Sequence, residues 1–167
     1  MVDHHVMSEP QNLGEFNSFE IYPMPMFATL AVADVNGVVS WYRTALGFGV
    51  VFSAPAVNGQ PPLVHLRRKK YQDLLIVAAP GEAASAPASM TISFGADGEV
   101  DELAERAKAA APFGVSALKG PIDTPWNTRD LRVTDPVGNR LVFTGRNPHP
   151  DPGLAERMKA MLSGGKP

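Results

Sequence analysis

The sequence predicts an α+β fold: two tandem β-α-β-β-β modules followed by a short C-terminal helix. The first observation behind this is an internal repeat. Phe27-Ala-Thr-Leu-Ala-Val-Ala-Asp34 leads through a helical pattern to Phe48-Gly49-Val50, and Thr91-Ile-Ser-Phe-Gly-Ala-Asp97 leads the same way to Phe113-Gly114-Val115. Asp34 and Asp97 lie 63 residues apart and the two triplets 65 apart, so the copies differ by one slightly longer helix. The second is periodicity, since each copy opens with a strand-like alternation and continues at helical spacing. The third is composition: 167 residues, 44% hydrophobic and 19% charged, suffice for one folded domain with a real core.

In chain order, residues 1–24 form a polar, acid-bearing extension. It has no basic start leading into an apolar run, so it does not read as a secretion signal. Residues 25–147 carry the modules, 25–80 and 89–147. After the first strand, Val35 to Leu46 places Val39, Tyr42 and Leu46 on one helical side. Gly47 then stands where a helix end favours positive φ. Gly49 to Ser53, Leu63 to Arg68 and Asp73 to Ala78 are strand candidates, and Ala79 to Ala88 is a linker by composition. The second copy has a helix over Glu99 to Ala111 (Val100, Leu103, Ala107), closed near Gly114. Its later strands are Val115 to Leu118, Asp130 to Thr134 and Arg140 to Thr144. In the tail, 148–167, Asp151 reads as an N-cap and Pro152 as a first-turn residue. Leu154, Met158 and Met161 share one side of a helix ending near Gly164, suited to packing on the body or on a second subunit.

Composition also excludes functions. Fifteen Lys and Arg against 17 Asp and Glu leave a net charge of -2, without the basic face that phosphate-dominated nucleic-acid binding needs. With no cysteine there is no disulfide framework, thiolate nucleophile, iron–sulfur site or cysteine-held zinc. No run approaches the ~20 apolar residues of a membrane span, which leaves a cytoplasmic protein as the default.

One turn fixes faces. Asp135-Pro136-Val137-Gly138 has the residues of a type I turn closing a three-residue hairpin loop. Val133 then opposes Leu141, Arg132 opposes Val142 and Leu131 opposes Phe143. Leu131, Val133, Leu141 and Phe143 form a helix-covered face, and Asp130, Arg132 and Val142 the other. Likewise Ala28, Leu30 and Val32 face the helix while Phe27, Thr29 and Ala31 face away. In the second copy Ile92 and Phe94 are core, and Thr91 and Ser93 are not.

The duplicated unit, the stretch Trp41-Tyr42-Arg43-Thr44-Ala45-Leu46-Gly47-Phe48 and the segment Asp135-Pro136-Val137-Gly138-Asn139-Arg140-Leu141 resemble the vicinal oxygen chelate superfamily of glyoxalases, extradiol dioxygenases and bleomycin-resistance proteins. The resemblance spans about Pro25 to Asn147 and implies a curved sheet around a cavity. In the enzymes a divalent metal sits there, held by His and Glu side chains. Carried across residue by residue, those ligand positions fall on Phe27, near Ile76, on Thr91 and on Val142, none of which offers imidazole or carboxylate. The resemblance therefore implies a metal-free member with no cofactor and an apolar concavity suited to a flat aromatic or polycyclic guest. Pro125-Trp126-Asn127-Thr128-Arg129 is similar to the Pro-Trp-Gly region that edges the drug groove of bleomycin-resistance proteins. Family analogy also implies a homodimer whose grooves draw on both chains through an exchanged segment.

Single residues carry two readings. Trp126 either stacks on a ligand or staples its loop to the sheet edge, with Asn127 beside it, whereas Trp41 is a core residue. An even-length loop through Lys69-Lys70 would pair His65 with Leu74 and set Leu63, His65 and Arg67 beside Ile76 on the cavity side. His65 is then a polar pocket contact or a satisfied strand histidine. Arg132 either donates to a carbonyl or quinone oxygen of the guest or pairs with Asp130. The run Arg67-Arg68-Lys69-Lys70 reads as a solvated turn, and His4-His5 as an exposed pair.

The sequence thus points to a binding protein that sequesters a bulky natural product or antibiotic without catalysis, with no nucleic-acid or membrane partner. Bleomycin is cationic, and a net charge of -2 suits a less charged guest such as a mitomycin, an anthraquinone or an enediyne. The alternatives are an enzyme of the same superfamily, a lyase, isomerase or dioxygenase with a displaced metal or with His65 and Asp73 or Asp130 in acid/base roles, and an interaction module whose cavity is filled by its own side chains.

Overall fold

A computed structural model of the chain describes residues 24, 26–79, 91–110 and 117–163. The proposed linker, the Phe113-Gly114-Val115 triplet and His4-His5 lie wholly or almost wholly outside them, as do the side chains of Met158 and Met161. The element order is β1 (Ala28–Val32), α1 (Val35–Leu46), β2 (Gly49–Ser53), β3 (Leu63–Arg67), β4 (Asp73–Ala78), β5 (Thr91–Gly95), α2 (Val100–Ala109), β6 (Ala117–Asp123), β7 (Thr128–Thr134), β8 (Arg140–Arg146) and α3 (Leu154–Ser163). This is the β-α-β-β-β unit twice with a closing helix. It forms two four-stranded mixed sheets ordered β1-β4-β3-β2 and β5-β8-β7-β6, one in each of two compact units.

In the first unit, β1 runs parallel to β4, and β4-β3-β2 are antiparallel. Alternation sends Leu30, Val32, Val64, Leu66, Leu74 and Ile76 into the core. α1 begins where the Asp34 carboxylate accepts the Gly37 N–H at 2.9 Å. It ends at Gly47, whose φ of 73° is the left-handed cap expected there. Trp41 is fully buried, edge-on to Tyr42 at 5.2 Å.

The β3–β4 hairpin differs from expectation. His65 pairs with Leu75 rather than Leu74, and Arg67 pairs with Asp73. The connecting loop has five residues, closed by Arg68 N–H to Gln72 O at 3.1 Å and Gln72 N–H to Lys69 O at 2.9 Å. A one-residue slip exchanges the faces of a strand. Ile76 is therefore core, opposite Val64 and Leu30, and Leu75, Val77 and Asp73 take the outer face. The solvated-turn reading of the basic run fails for its first half: Arg67 and Arg68 are buried, and Arg68 Nη1 donates to Gln72 Oε1 at 3.0 Å.

The second unit follows its predicted register, with Val133 opposite Leu141, Arg132 opposite Val142 and Leu131 opposite Phe143. At the turn Gly138 has φ 93°. The buried Asp135 carboxylate accepts the Val137 and Asn139 N–H groups and the Asn139 amide. Phe94 and Phe143 stack at 5.3 Å, and α2 lies across β6, β7 and β8 with Val100, Leu103, Ala104 and Ala107 buried. The strands outrun their expected ends: in β6, Gly120-Pro121 sits in a bulge between Lys119 and Ile122. Pairing therefore continues to Asp123–Arg129 and to Thr128–Arg146. Only glycine suits position 120, where φ is 111° and a Cβ would stand 2.5 Å from the Asp130 carbonyl oxygen. Before α3, the Asp151 carboxylate accepts the Gly153 N–H at 2.8 Å, two residues earlier than an N-cap of the observed helix would sit.

Candidate functional site

Each sheet has an outer face, opposite the side on which its apolar residues are buried. On the first, one cross-strand row runs Thr29, Leu75, His65, Phe52, and a second runs Ala31, Val77, Leu63. Phe52 and Phe27 are 53% and 44% exposed. In an ordinary core such rings would be covered, so this surface offers flat aromatic and aliphatic area.

A polar group sits in that apolar face. The Asp73 Oδ1 atom accepts from Arg67 Nε at 2.6 Å and from His65 Nε2 at 2.7 Å. The side chains of Asp73 and Arg67 are closed off, while that of His65 is 14% exposed. Arg67, expected as a ligand contact, instead has Nε committed to the carboxylate that orients His65. Leu75, Val77 and Phe52 were not singled out by sequence, and Asp73 only as one of two acid/base partners for His65 in the enzyme alternative. Strand alternation would have found them had the hairpin register been known.

On the second sheet the outer face carries Thr91 with Arg140, Ser93 with Val142, and Gly95 with Thr144. Across β7 and β6 lie Arg132 opposite Val142 and Lys119, and Asp130 opposite Thr144 and Ile122. The expected Arg132–Asp130 pair does not form: Asp130 Oδ1 accepts from Thr144 Oγ1 at 2.7 Å and from Thr128 Oγ1 at 3.0 Å. Arg132 is exposed, without a hydrogen-bond or ion-pair partner among the described residues, so its guanidinium remains available as a donor.

Trp126 sits at the tip of the β6–β7 loop and is 68% exposed, which removes the reading in which it staples the loop down. The loop is tied down by its neighbour instead. Asn127 adopts φ 59°, its Oδ1 accepts the Asp151 N–H at 2.8 Å, and its Nδ2 donates to the Asp151 carbonyl at 3.1 Å. Asn127 therefore anchors the loop, its amide engaged by the Asp151 backbone. A cleft of about 290 Å³ borders the loop, lined by Asp97, Asn127, Thr128, Thr144, Gly145 and Arg146. At the loop's other side Arg129 bridges Asp101 of α2 and Asp123 of β6. The hydrogen bond from Arg129 holds the Asp101 carboxyl below its ordinary value, and the two carboxylates raise the guanidinium further above its own.

The four positions implied as metal ligands do not fit a cation. Phe27 and Val142 bring no donor atom, Thr91 brings only a hydroxyl, and around Ile76 the outward residues are Leu75 and Val77. Asp73, the carboxylate on the same strand as Ile76, is engaged by Arg67 and His65. Among the described residues no three His, Asp or Glu side chains come together as a metal would require.

A sequence profile of the Glyoxalase/Bleomycin resistance protein/Dioxygenase superfamily matches residues 25–143. No curated protein matches the chain. Among solved structures, the fold is similar to TioX from Micromonospora sp. ML1, 24% identical over 72% of this chain and 97% of that one, with a TM-score of 0.58. It is similar to TnmS3, an antibiotic binding protein from Streptomyces sp. CB03234, 25% identical over 72% and 93%, TM-score 0.53. It also shares its fold with a bleomycin-binding protein solved in complex with bleomycin, 20% identical over 72% and 97%, TM-score 0.54. With the profile matching most of its length and both sheets built in the repeated β-α-β-β-β order, the chain belongs to the glyoxalase/bleomycin resistance protein/dioxygenase superfamily.

Proposed function

We propose that this protein is a metal-free binder that sequesters a bulky aromatic natural product or antibiotic, acting in the cytoplasm as a homodimer in which a second copy helps complete each groove. The observation that carries the reading is the outer face of the first sheet. Where metal-dependent relatives need donors, this face presents Phe27, Leu75, Val77 and Phe52. Holding a flat guest requires rigid apolar area and a few oriented polar atoms, not a catalytic group. The second unit, by itself, offers exposed aromatic area at Trp126 and an available donor for a carbonyl or quinone oxygen at Arg132. Similarity to an antibiotic binding protein supports the same class of ligand.

The chain's two tryptophans make the test direct, because Trp41 is buried and Trp126 exposed. In a Trp41→Phe variant Trp126 is the sole indole reporter. Titration with a panel of anthraquinones, mitomycins, enediynes and bleomycin is expected to give saturable quenching at about micromolar Kd with one member. Absence of any binding better than millimolar overturns the reading. A second reading, acid/base catalysis by His65, is favoured by its Asp73 partner. Chemical change of a bound guest, lost in His65→Phe, would establish it.

A further inference from the structure

We propose that His65 makes this surface selective for guests bearing a hydroxyl on an aromatic ring, by presenting Nδ1 as a fixed acceptor for that hydroxyl; the assignment rests on the binding reading above. Asp73 Oδ1 accepts from Arg67 Nε at 2.6 Å and from His65 Nε2 at 2.7 Å. A guanidinium only donates, so Oδ1 accepts from Arg67 Nε and meets His65 Nε2 as an acceptor as well. Nε2 therefore carries the ring proton, and in the neutral imidazole the lone pair is on Nδ1. Nδ1 makes no hydrogen bond among the described residues. The ring sits on the inner strand β3 with Leu75 on one side and the exposed Phe52 on the other.

An oriented acceptor next to a bare phenyl ring matches a planar phenol, with its ring against Phe52 and its O–H on Nδ1. Leu75, Val77 and Leu63 around it do not distinguish a hydroxyl from an ether, so discrimination falls to His65. A methyl ether cannot donate and leaves the partly buried acceptor unpaired, the kind of mismatch that polar sites reject most strongly.

The probes are 2-naphthol and 2-methoxynaphthalene, titrated calorimetrically into the full chain at pH 7.5, where a phenol of ordinary pKa near 10 is protonated. The expected result is about tenfold tighter binding of 2-naphthol. His65→Phe is expected to bring it to the affinity of the ether. As a measurement free of any variant, the ¹⁵N shifts of the His65 ring at pH 7.5 should show Nε2 protonated and Nδ1 bare, with Nδ1 responding to 2-naphthol alone. Equal affinity for the two probes, tighter binding of the ether, or a proton on Nδ1 of the neutral ring overturns the assignment and leaves the sequestration reading standing. Binding of neither probe overturns it as well, and the antibiotic panel then decides independently whether the sequestration reading survives.

Discussion

Leu75 and Ile76 are neighbours in the chain with opposite functions. Ile76 is fully buried against Leu30 and Val64, so Ile76→Ala is expected to lower unfolding stability by about 2–5 kcal/mol, read from the urea midpoint. Leu75→Ala, on the outer face, is expected to cost a fraction of that and to weaken the guest instead. Trp126→Ala separates binding from folding still further. With the ring 68% exposed and the loop held through Asn127, stability should stay within about 0.5 kcal/mol while affinity falls about tenfold. At this scale the sequence revealed which residues could matter. Phe27, Val142, Arg132 and Trp126 all stand on outer faces or loops as their alternation or turn context implied. It named Asp73 beside Asp130 as a partner for His65 without deciding between them, because Asp73 comes eight residues later and meets His65 only through the hairpin register.

The two hairpins show why some elements were legible and others were not. Asp135-Pro136-Val137-Gly138 announces its geometry: proline presets φ at the second position, glycine takes φ 93° at the fourth, and the carboxylate binds the loop's own N–H groups. The loop between β3 and β4 announces nothing. It contains no Gly, Pro or Asn, yet Tyr71 adopts φ 65°, a conformation that local preferences argue against. At Gly120 the strand expected to end at Leu118 instead passes through a bulge and continues to Asp123. Gly120→Ala is expected to destabilise the second unit by more than about 1 kcal/mol, seen as a lowered Tm and perturbed amide shifts in β6 and β7. The bridge from Arg129 to Asp101 of α2 carries a pH signature. Because Asp101 is held below the ordinary carboxyl value, its contribution is present above that ordinary value and is lost as pH falls through the lower folded one. The fall in Tm under acid conditions should therefore be shallower in Arg129→Met than in the unmodified protein, in thermal melts between pH 5 and pH 2.

For the whole molecule, the prediction is thermodynamic. A guest that binds only the folded chain stabilises it by mass action, about 2.7 kcal/mol at a hundredfold excess over Kd, so the true ligand should raise Tm in a concentration-dependent way and its methyl ether should do so less. The proposed homodimer is expected to sediment as two chains at micromolar concentration, and a single-chain mass throughout would remove that part of the reading.

By itself the sequence determined the number, kind and order of the elements, their duplication and the turn at Asp135, because these depend on hydrophobic period and on chemistry within a few residues. Only the tertiary structure decided that Ile76 turns inward, that Leu75, Val77 and Phe52 form the surface, and that Asp73 links Arg67 to His65. The reason is geometric: in a strand the facing of every side chain depends on register, and here the register is set by a loop whose length and left-handed residue no local signal specifies.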